Sequence, residues 1–367
     1  MILFLLTDEK FTDYAIQQFS ALGIESEFVL IPSNNMMSHV KLINQCTIIN
    51  QWSPEFDDFL NRLDQYTGIF FHGLYWGSWQ KRVLERIPDN VKIAWYFWGG
   101  EIYSRHELET AFLAPLTMAL YKTRKLFKRS KSDTHWELPL PLFNKVDYCL
   151  TSMQEEYEYA KQFTGAKFKH LWYTCYSLEE TVGALMDKQC AGNNVWIGNA
   201  ATIKNNHLDT LWAIRRSGAL RYMKDGQFIV PLSYGELWVK NLFAKWGQRL
   251  LGERMRALTE FMPREEYNAL MLSCSTMIIN YLEPAAQGNI ITGLWLGMRV
   301  YLSEKSLAYA YYKRIGANVY SLESDLKKYQ FAPLSEEERA ENRKVLNQWY
   351  SKEHVEQAVK DVVNELR

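Results

Sequence analysis

Trp196-Ile197-Gly198-Asn199-Ala200-Ala201-Thr202 is the stretch on which the reading of this chain turns. An apolar run ends in a glycine and a series of small side chains, and Asn205-Asn206 then opens a helical pattern over residues 206–216. Strand, tight loop and helix in that order form the unit of a parallel α/β sheet. A glycine behind a strand lets a ligand approach the backbone. The helix N-terminus that follows offers unpaired N–H groups and a positive dipole end, which suit a diphosphate. Taken alone, an ordinary βα turn with an Asn cap is the plainer reading.

The same device recurs nearby. Tyr281-Leu282-Glu283-Pro284-Ala285-Ala286-Gln287-Gly288-Asn289 again passes from strand through small residues into a helix, and Glu283 is placed to accept from a sugar hydroxyl. Val230-Pro231-Leu232-Ser233-Tyr234-Gly235 closes a further strand, with Tyr234 able to stack on a base or ring. Two anion-cradling loops in one half make a nucleotide-diphosphate site a better reading than either loop does alone. Around them, residues 195–197, 227–232, 276–281 and 299–302 read as strands. Residues 206–216, 236–258, 265–273 and 288–296 read as helices, and 335–367 as mostly helical.

The N-terminal half has the same rhythm. Residues 2–6, 27–31, 68–72, 92–97 and 146–151 read as strands, and 12–22, 110–131 and 154–162 as helices. The domain boundary is expected within 178–194, which ends in Cys190-Ala191-Gly192-Asn193-Asn194. Two α/β halves imply an interdomain cleft, a favoured place for ligands.

Composition narrows the function. The 367 residues suffice for two domains, and 47% hydrophobic content excludes a disordered chain. Lys plus Arg equals Asp plus Glu at 42 each, so nucleic acid is not expected as a partner. Cys46, Cys149, Cys175, Cys190 and Cys274 are scattered without a CxxC pair, which argues against a disulfide framework or a zinc site and fits a reducing compartment. The apolar run over residues 1–6 stops at Thr7-Asp8 and reads as a buried strand rather than a signal peptide, and no 18-residue apolar run occurs. A cytoplasmic location is expected. GxGxxG, Walker, HExxH, GxSxG and Asp-x-Asp patterns are all missing, so neither a metal nor another cofactor is expected.

Three features remain in the N-terminal half. Phe70-Phe71-His72-Gly73 and Trp98-Gly99-Gly100-Glu101-Ile102-Tyr103 end successive strands, so His72 and Glu101 are candidate acceptors of a hydroxyl proton. Equally, His72 orients a loop and Glu101 satisfies a helix start. Tyr121 to Lys131 carries six cations in eleven residues, Lys122, Arg124, Lys125, Lys128, Arg129 and Lys131, with Leu126 and Phe127 between them. Such a run suits an anionic membrane surface.

Taken in order, Phe71-His72-Gly73, Trp98 to Tyr103, Gly198-Asn199 with Asn205 and His207, Val230-Pro231 with Tyr234, and Gln287-Gly288 resemble the 4-alpha-L-fucosyltransferase family, over about residues 70–302. Its best-known activity is TDP-Fuc4NAc:lipid II Fuc4NAc transfer. The resemblance implies an α/β GT-B fold of two Rossmann-like domains with parallel sheets facing a cleft. Residues 1–180 would bind the acceptor and 190–345 the donor, with 346–367 a C-terminal helix packing back on the first domain. It implies a dTDP-sugar donor, a polyprenyl-diphosphate-linked saccharide acceptor, and peripheral attachment to the inner face of the bacterial cytoplasmic membrane through Lys122, Arg124, Lys125, Lys128 and Arg129. The donor set would be Gly198, Asn199, Asn205, Pro231, Ser233, Tyr234, Tyr267, Glu283, Gln287, Gly288 and Asn289. The acceptor set would be Gly73, Trp98, Gly99, Gly100 and Tyr103, with His72 and Glu101 catalytic. The chain departs from the family where Gly100-Glu101 replaces Ala-Asp, where Ala285-Ala286-Gln287-Gly288 replaces a Gln-Gly-x-Gly loop, and in an extra segment over 131–141. A sugar-nucleotide epimerase and a non-catalytic nucleotide-sugar-binding protein are the alternative functions of the same architecture.

Overall fold

The computed structural model describes residues 1–32, 39–74, 78–127, 137–221, 223 and 225–367. The first sheet is built from β1 (Ile2–Leu6), β2 (Ser26–Leu30), β3 (Thr47–Ile48), β4 (Gly68–Phe71), β5 (Lys92–Tyr96), β6 (Tyr148–Leu150) and β7 (Lys169–Leu171). Its order is β3-β2-β1-β4-β5-β6-β7, and every pairing is parallel. The second sheet holds β8 (Asn194–Ile197), β9 (Phe228–Pro231), β10 (Met255–Leu258), β11 (Cys274–Ile279), β12 (Arg299–Leu302) and β13 (Val319–Ser321). Its order is β10-β9-β8-β11-β12-β13, again all parallel.

Counted from its own first strand, each sheet runs 3-2-1-4-5-6, the first carrying one strand more. This is the doubly wound Rossmann order. Strand order reverses between β1 and β4 in one sheet and between β8 and β11 in the other. In such sheets the crevice at the carboxyl ends of those two strands is where ligands bind, because the helices on either side diverge there. The central strands are mostly apolar, with Ser275, Thr276 and Arg299 the polar residues of β11 and β12, since helices cover both faces and no strand face meets water. β1, β4, β11 and β12 are buried at every position.

Two compact units contain these sheets. One comprises Met1–Leu108, Thr134–Ser177 and Lys352–Arg367, the other Glu109–Asp133 and Leu178–Ser351. The chain therefore changes unit more often than a single boundary implies. Residues 109–127, expected within the first domain, cluster with the second. Side-chain-to-backbone bonds hold them there: the Asn206 amide donates to Phe112 O and accepts from Ala114 N, while the Asp209 carboxylate accepts from Leu116 N and Thr117 N. Asp209 thereby caps the helix Pro115–Phe127 from another element, satisfying N–H groups that a helix start leaves free.

The C-terminal segment divides in the opposite sense. Helix Glu336–Tyr350 begins at Ser335 with a capping box to Glu338 and ends at Ser351, whose extended backbone breaks the helix. Helix Lys352–Leu366 then belongs to the first unit. Its Val355, Val359, Val362, Val363 and Leu366 join the core formed by Phe4, Phe19, Phe28 and Phe70.

One expected element is corrected outright. Residues 236–258 form the helix Leu237–Leu251 followed by strand β10, not one long helix. Gly252 adopts φ 61°, which ends the helix, and the chain then pairs with β9 as the sheet edge. Helix 110–131 is likewise shorter, starting at Pro115, and its residues beyond 127 lie outside the described set. No described helix is long and apolar enough to cross a membrane.

Candidate active site

In the second unit the loops after β8, β9 and β11 meet at the switch point. Gly198 follows β8 with φ 67°, and its N–H donates to Ile278 O at 2.8 Å. A Cβ at Gly198 would stand 2.6 to 2.9 Å from the side chain of Asn205, so only glycine lets Asn205 occupy its buried place. Asn205 is 1% exposed. Its Nδ2 donates to Ala200 O at 3.0 Å and Asn199 Oδ1 at 3.3 Å, while its Oδ1 has no partner among the described residues.

Asn199 is the hub. Its Oδ1 also accepts from the Tyr281 hydroxyl at 3.0 Å, and its Nδ2 donates to the Tyr234 hydroxyl at 3.2 Å. Tyr281 shares a further bond with Thr202 Oγ1 at 2.9 Å. The loop after β9 is tied to the loop after β8 by Ala201 N donating to Tyr234 O at 2.8 Å and Glu236 N donating to Ala201 O at 2.7 Å. Pro231 is buried at the end of β9, and Ser233 is half-buried just beyond it.

Beyond β11, Glu283 pairs with Lys204 at 2.6 Å. Burial pushes the Glu283 carboxyl up, and the Lys204 ammonium opposes that shift. Helix Gln287–Leu296 then starts, with Ala286 at φ 58° before it. Gln287, Gly288 and Asn289 are its first turn, whose N–H groups lack intrahelical partners by geometry. Gln287, Gly288 and Asn289 are half-buried, and an added Cβ at Gly288 would stand in ordinary contact with Thr181 Cγ2 at 3.9 Å, so the turn is not blocked by a close neighbour. Asn289 Nδ2 donates to the Tyr267 hydroxyl at 3.3 Å, and the Tyr267 ring meets Trp196 edge-on at 4.9 Å. Burial pushes the Tyr267 hydroxyl up to about 12, so it remains a neutral donor.

The first unit's switch point is lined differently. His72 follows β4 and is fully buried. Its ring stands 5.2 Å from Trp98, 5.8 Å from Tyr96 and 6.4 Å from Phe70. Neither ring nitrogen, nor Trp98 Nε1, has a hydrogen-bond partner among the described residues. Burial holds the imidazole down to about 3, so it is neutral at physiological pH.

Glu101, in the short helix Gly100–Tyr103 entered from Gly99, is also buried. Its Oε1 accepts from Trp95 Nε1 at 3.0 Å, Leu74 N at 3.2 Å and Trp98 N at 3.4 Å, while Oε2 has no partner among the described residues. One oxygen thus ties the loop containing His72 and Gly73 to the loop containing Trp98. Burial raises the Glu101 carboxyl to about 7 against those bonds. A second buried carboxyl, Glu156, adds to this. Its Oε2 accepts from Thr151 Oγ1 at 2.8 Å, the Tyr103 hydroxyl also bonds it, and burial raises it to about 8. Sequence reading assigned Glu156 only to an acidic helix. The available signal was Thr151, placed at a strand end five residues earlier.

Of the cationic run, Lys122 is exposed, Lys125 pairs with Glu109 at 2.5 Å, and Arg124 lies 4.0 Å over the Trp238 ring. Lys128 and Arg129 lie outside the described residues. Among the described residues no three His, Cys, Asp or Glu side chains converge as metal ligands would.

No protein-family model matches the chain, and no curated protein matches it in sequence. Solved structures do. HepE from Anabaena, in complex with UDP and glucose, is similar at TM-score 0.60 and 11% identity, covering 99% of each chain. Sucrose-phosphate synthase from Thermosynechococcus elongatus is similar at TM-score 0.55 and 11% identity, over 100% of this chain and 98% of that one. A glycosyltransferase from Rickettsia africae gives TM-score 0.60 at 11% identity, over 100% and 98%. The likeness establishes the fold: GT-B, with two Rossmann-like domains.

Proposed function

We propose that the chain is a glycosyltransferase that takes its sugar from a nucleotide diphosphate. The observation that carries this reading is the second unit's switch point. There the half-buried first turn of helix Gln287–Leu296 stands with the Asn199, Asn205, Tyr281 and Tyr234 network at the strand ends where Rossmann sheets bind ligands. Backbone N–H groups of Gln287 to Asn289 would neutralise the departing diphosphate, and Glu283 and the Asn-Tyr network would accept sugar or ribose hydroxyls. The UDP and glucose held by HepE, on the same fold, support a nucleotide-sugar donor.

The first unit would receive the acceptor. His72 is neutral and has no partner among the described residues, so it is the group to take a hydroxyl proton as the glycosidic bond forms. Glu101, with Oε1 saturated, positions the loops of His72, Gly73 and Trp98, while Gly99, Gly100 and Tyr103 complete the wall. The chemistry assigned to these side chains needs no metal.

The finer identity follows the motif resemblance: a Fuc4NAc-like sugar, a dTDP carrier and a polyprenyl-diphosphate-linked saccharide in bacterial surface-polysaccharide synthesis. Peripheral membrane attachment would use exposed Lys122, with Lys125 and Arg124 contributing less because each already has a partner. Leu126 and Phe127, 84% and 86% exposed, would supply apolar contact. Isothermal titration with dTDP, UDP and GDP tests the donor. Binding of dTDP above the other two is expected, and absence of binding by all three would sink the reading.

A further inference from the structure

The second unit contains a cavity at the carboxyl ends of β11, β12 and β13, lined by Asn280 and Leu282 on either side of Tyr281. It measures about 890 Å³, within the range of about 300–1,000 Å³ typical of small-molecule sites. Three walls form it. One is the segment around Leu113 and Met118, clamped in place by Asn206 and Asp209. Another is the helix His207–Ser217, which contributes Trp212 and Arg216. The third is the set of strand ends, with Leu282, Lys305, Leu322 and Lys327.

The charges in this cavity are not equivalent. Its two acids are already occupied. Asp209 accepts from Leu116 N, Thr117 N and Thr117 Oγ1 at 2.9, 2.9 and 2.6 Å. Glu323 accepts from Ser303 Oγ at 2.5 Å and Glu304 N at 3.0 Å. The cations Arg216, Lys305 and Lys327 have no ion-pair partner among the described residues. Trp212 leaves 48% of its surface exposed beside them, while Leu113, Leu322 and Leu326 are buried behind. A cavity with apolar walls, an available indole face and three uncommitted cations is complementary to an anion carried on an apolar or aromatic body.

We infer that this cavity is a second ligand site, for a small anionic molecule (a phosphate or carboxylate on an apolar or aromatic body), separate from the proposed donor site. Arg216, Lys305 and Lys327 hold the anion, and Trp212 and the leucines hold the body. This assignment does not depend on the transferase reading.

The test is isothermal titration of the full chain with 1-naphthyl phosphate, 1-naphthoate, inorganic phosphate and 1-naphthol. Naphthyl phosphate and naphthoate should each bind at least about tenfold more tightly than phosphate or naphthol, and the ratio between the first two identifies the preferred headgroup. Arg216→Glu with Lys327→Glu should weaken naphthyl phosphate at least about tenfold, and Trp212→Ala by roughly three- to tenfold. All three side chains are exposed, so unchanged melting curves verify that the variants fold. Asn199→Ala, at the other site, should leave naphthyl phosphate binding unaltered. Binding that survives the double charge reversal, binding lost in Asn199→Ala but kept in the double variant, or no binding at millimolar probe overturns the proposal.

Discussion

At the β1/β4 switch point of the first unit, His72 is packed among Phe70, Tyr96 and Trp98 with no hydrogen bond to its ring from the described residues. At the corresponding β8/β11 point of the second, Asn199, Asn205, Tyr281 and Tyr234 are bonded to one another beside the N-terminus of helix Gln287–Leu296. The strand order is the same in both. Topology therefore determines where a crevice forms, and the side chains at the strand ends determine its chemistry. A dry aromatic lining keeps an imidazole neutral, whereas a hydrogen-bonding lining with a helix terminus favours a polar anion.

The sharpest way to break this contrast is His72→Gln. Turnover should fall by roughly 10²–10⁴-fold in a transfer assay, the usual contribution of a general base, while nucleotide affinity measured by titration stays at the parent value. Equal loss of both would mean that the two switch points do not divide the labour. The same variant has a pH signature. The unfolded ring takes up a proton near 6.5, the folded one only near 3. The stability His72 contributes is therefore complete above 6.5 and is lost as pH falls toward 3. Glu101 has the opposite sign, its contribution complete below 4.5 and lost as pH rises through about 7. Subtracting the variant's unfolding free energy from the parent's isolates His72. That difference should grow with pH between 3 and 6.5, by up to about 1.4 kcal/mol per pH unit, and be level above.

Gly198→Ala probes the polar side of the comparison. The added Cβ meets Asn205 and sits at φ 67°, so a destabilisation of about 2–3 kcal/mol is expected in chemical unfolding, with at least about tenfold weaker nucleotide binding. A fully stable variant would show that Asn205 has room to move. Asp209→Ala removes the acceptor of three bonds holding the segment around Leu116 and Thr117. It should cost about 2 kcal/mol, with faster amide exchange at those two residues. The smallest effect is that of Lys122→Glu, which should leave stability within about 0.5 kcal/mol but reduce sedimentation with anionic liposomes. Unaltered sedimentation would remove the cationic run as an anchor.

Much of the fold was legible because buried parallel strands are short apolar runs ended by small or polar residues. Residues 2–6 and 299–302 are strands at the expected bounds, and the helix after Gln287 starts one residue early. The failures have two causes. Residues 255–258 continue an amphipathic pattern, and only pairing with β9 makes them a strand. Thr47–Ile48 is too short to leave a periodic signal.

For the candidate site, sequence was enough to place His72, Gly198 and Asn199 just past strand ends and Glu101 and Gln287 at the helix starts that follow, because that depends on local alternation. It did not determine what each one touches. That Glu101 fastens two loops through Oε1, that Glu156 lies buried with Tyr103, and that Asp209 caps a helix begun at Pro115 are matters of tertiary structure. Nor did it reveal that the chain between residues 109 and 127 belongs with the second sheet. Periodicity records whether a residue faces core or solvent. Which donor meets which acceptor depends on contacts about 90 residues apart, as between Asp209 and Leu116, and only the folded chain brings those together.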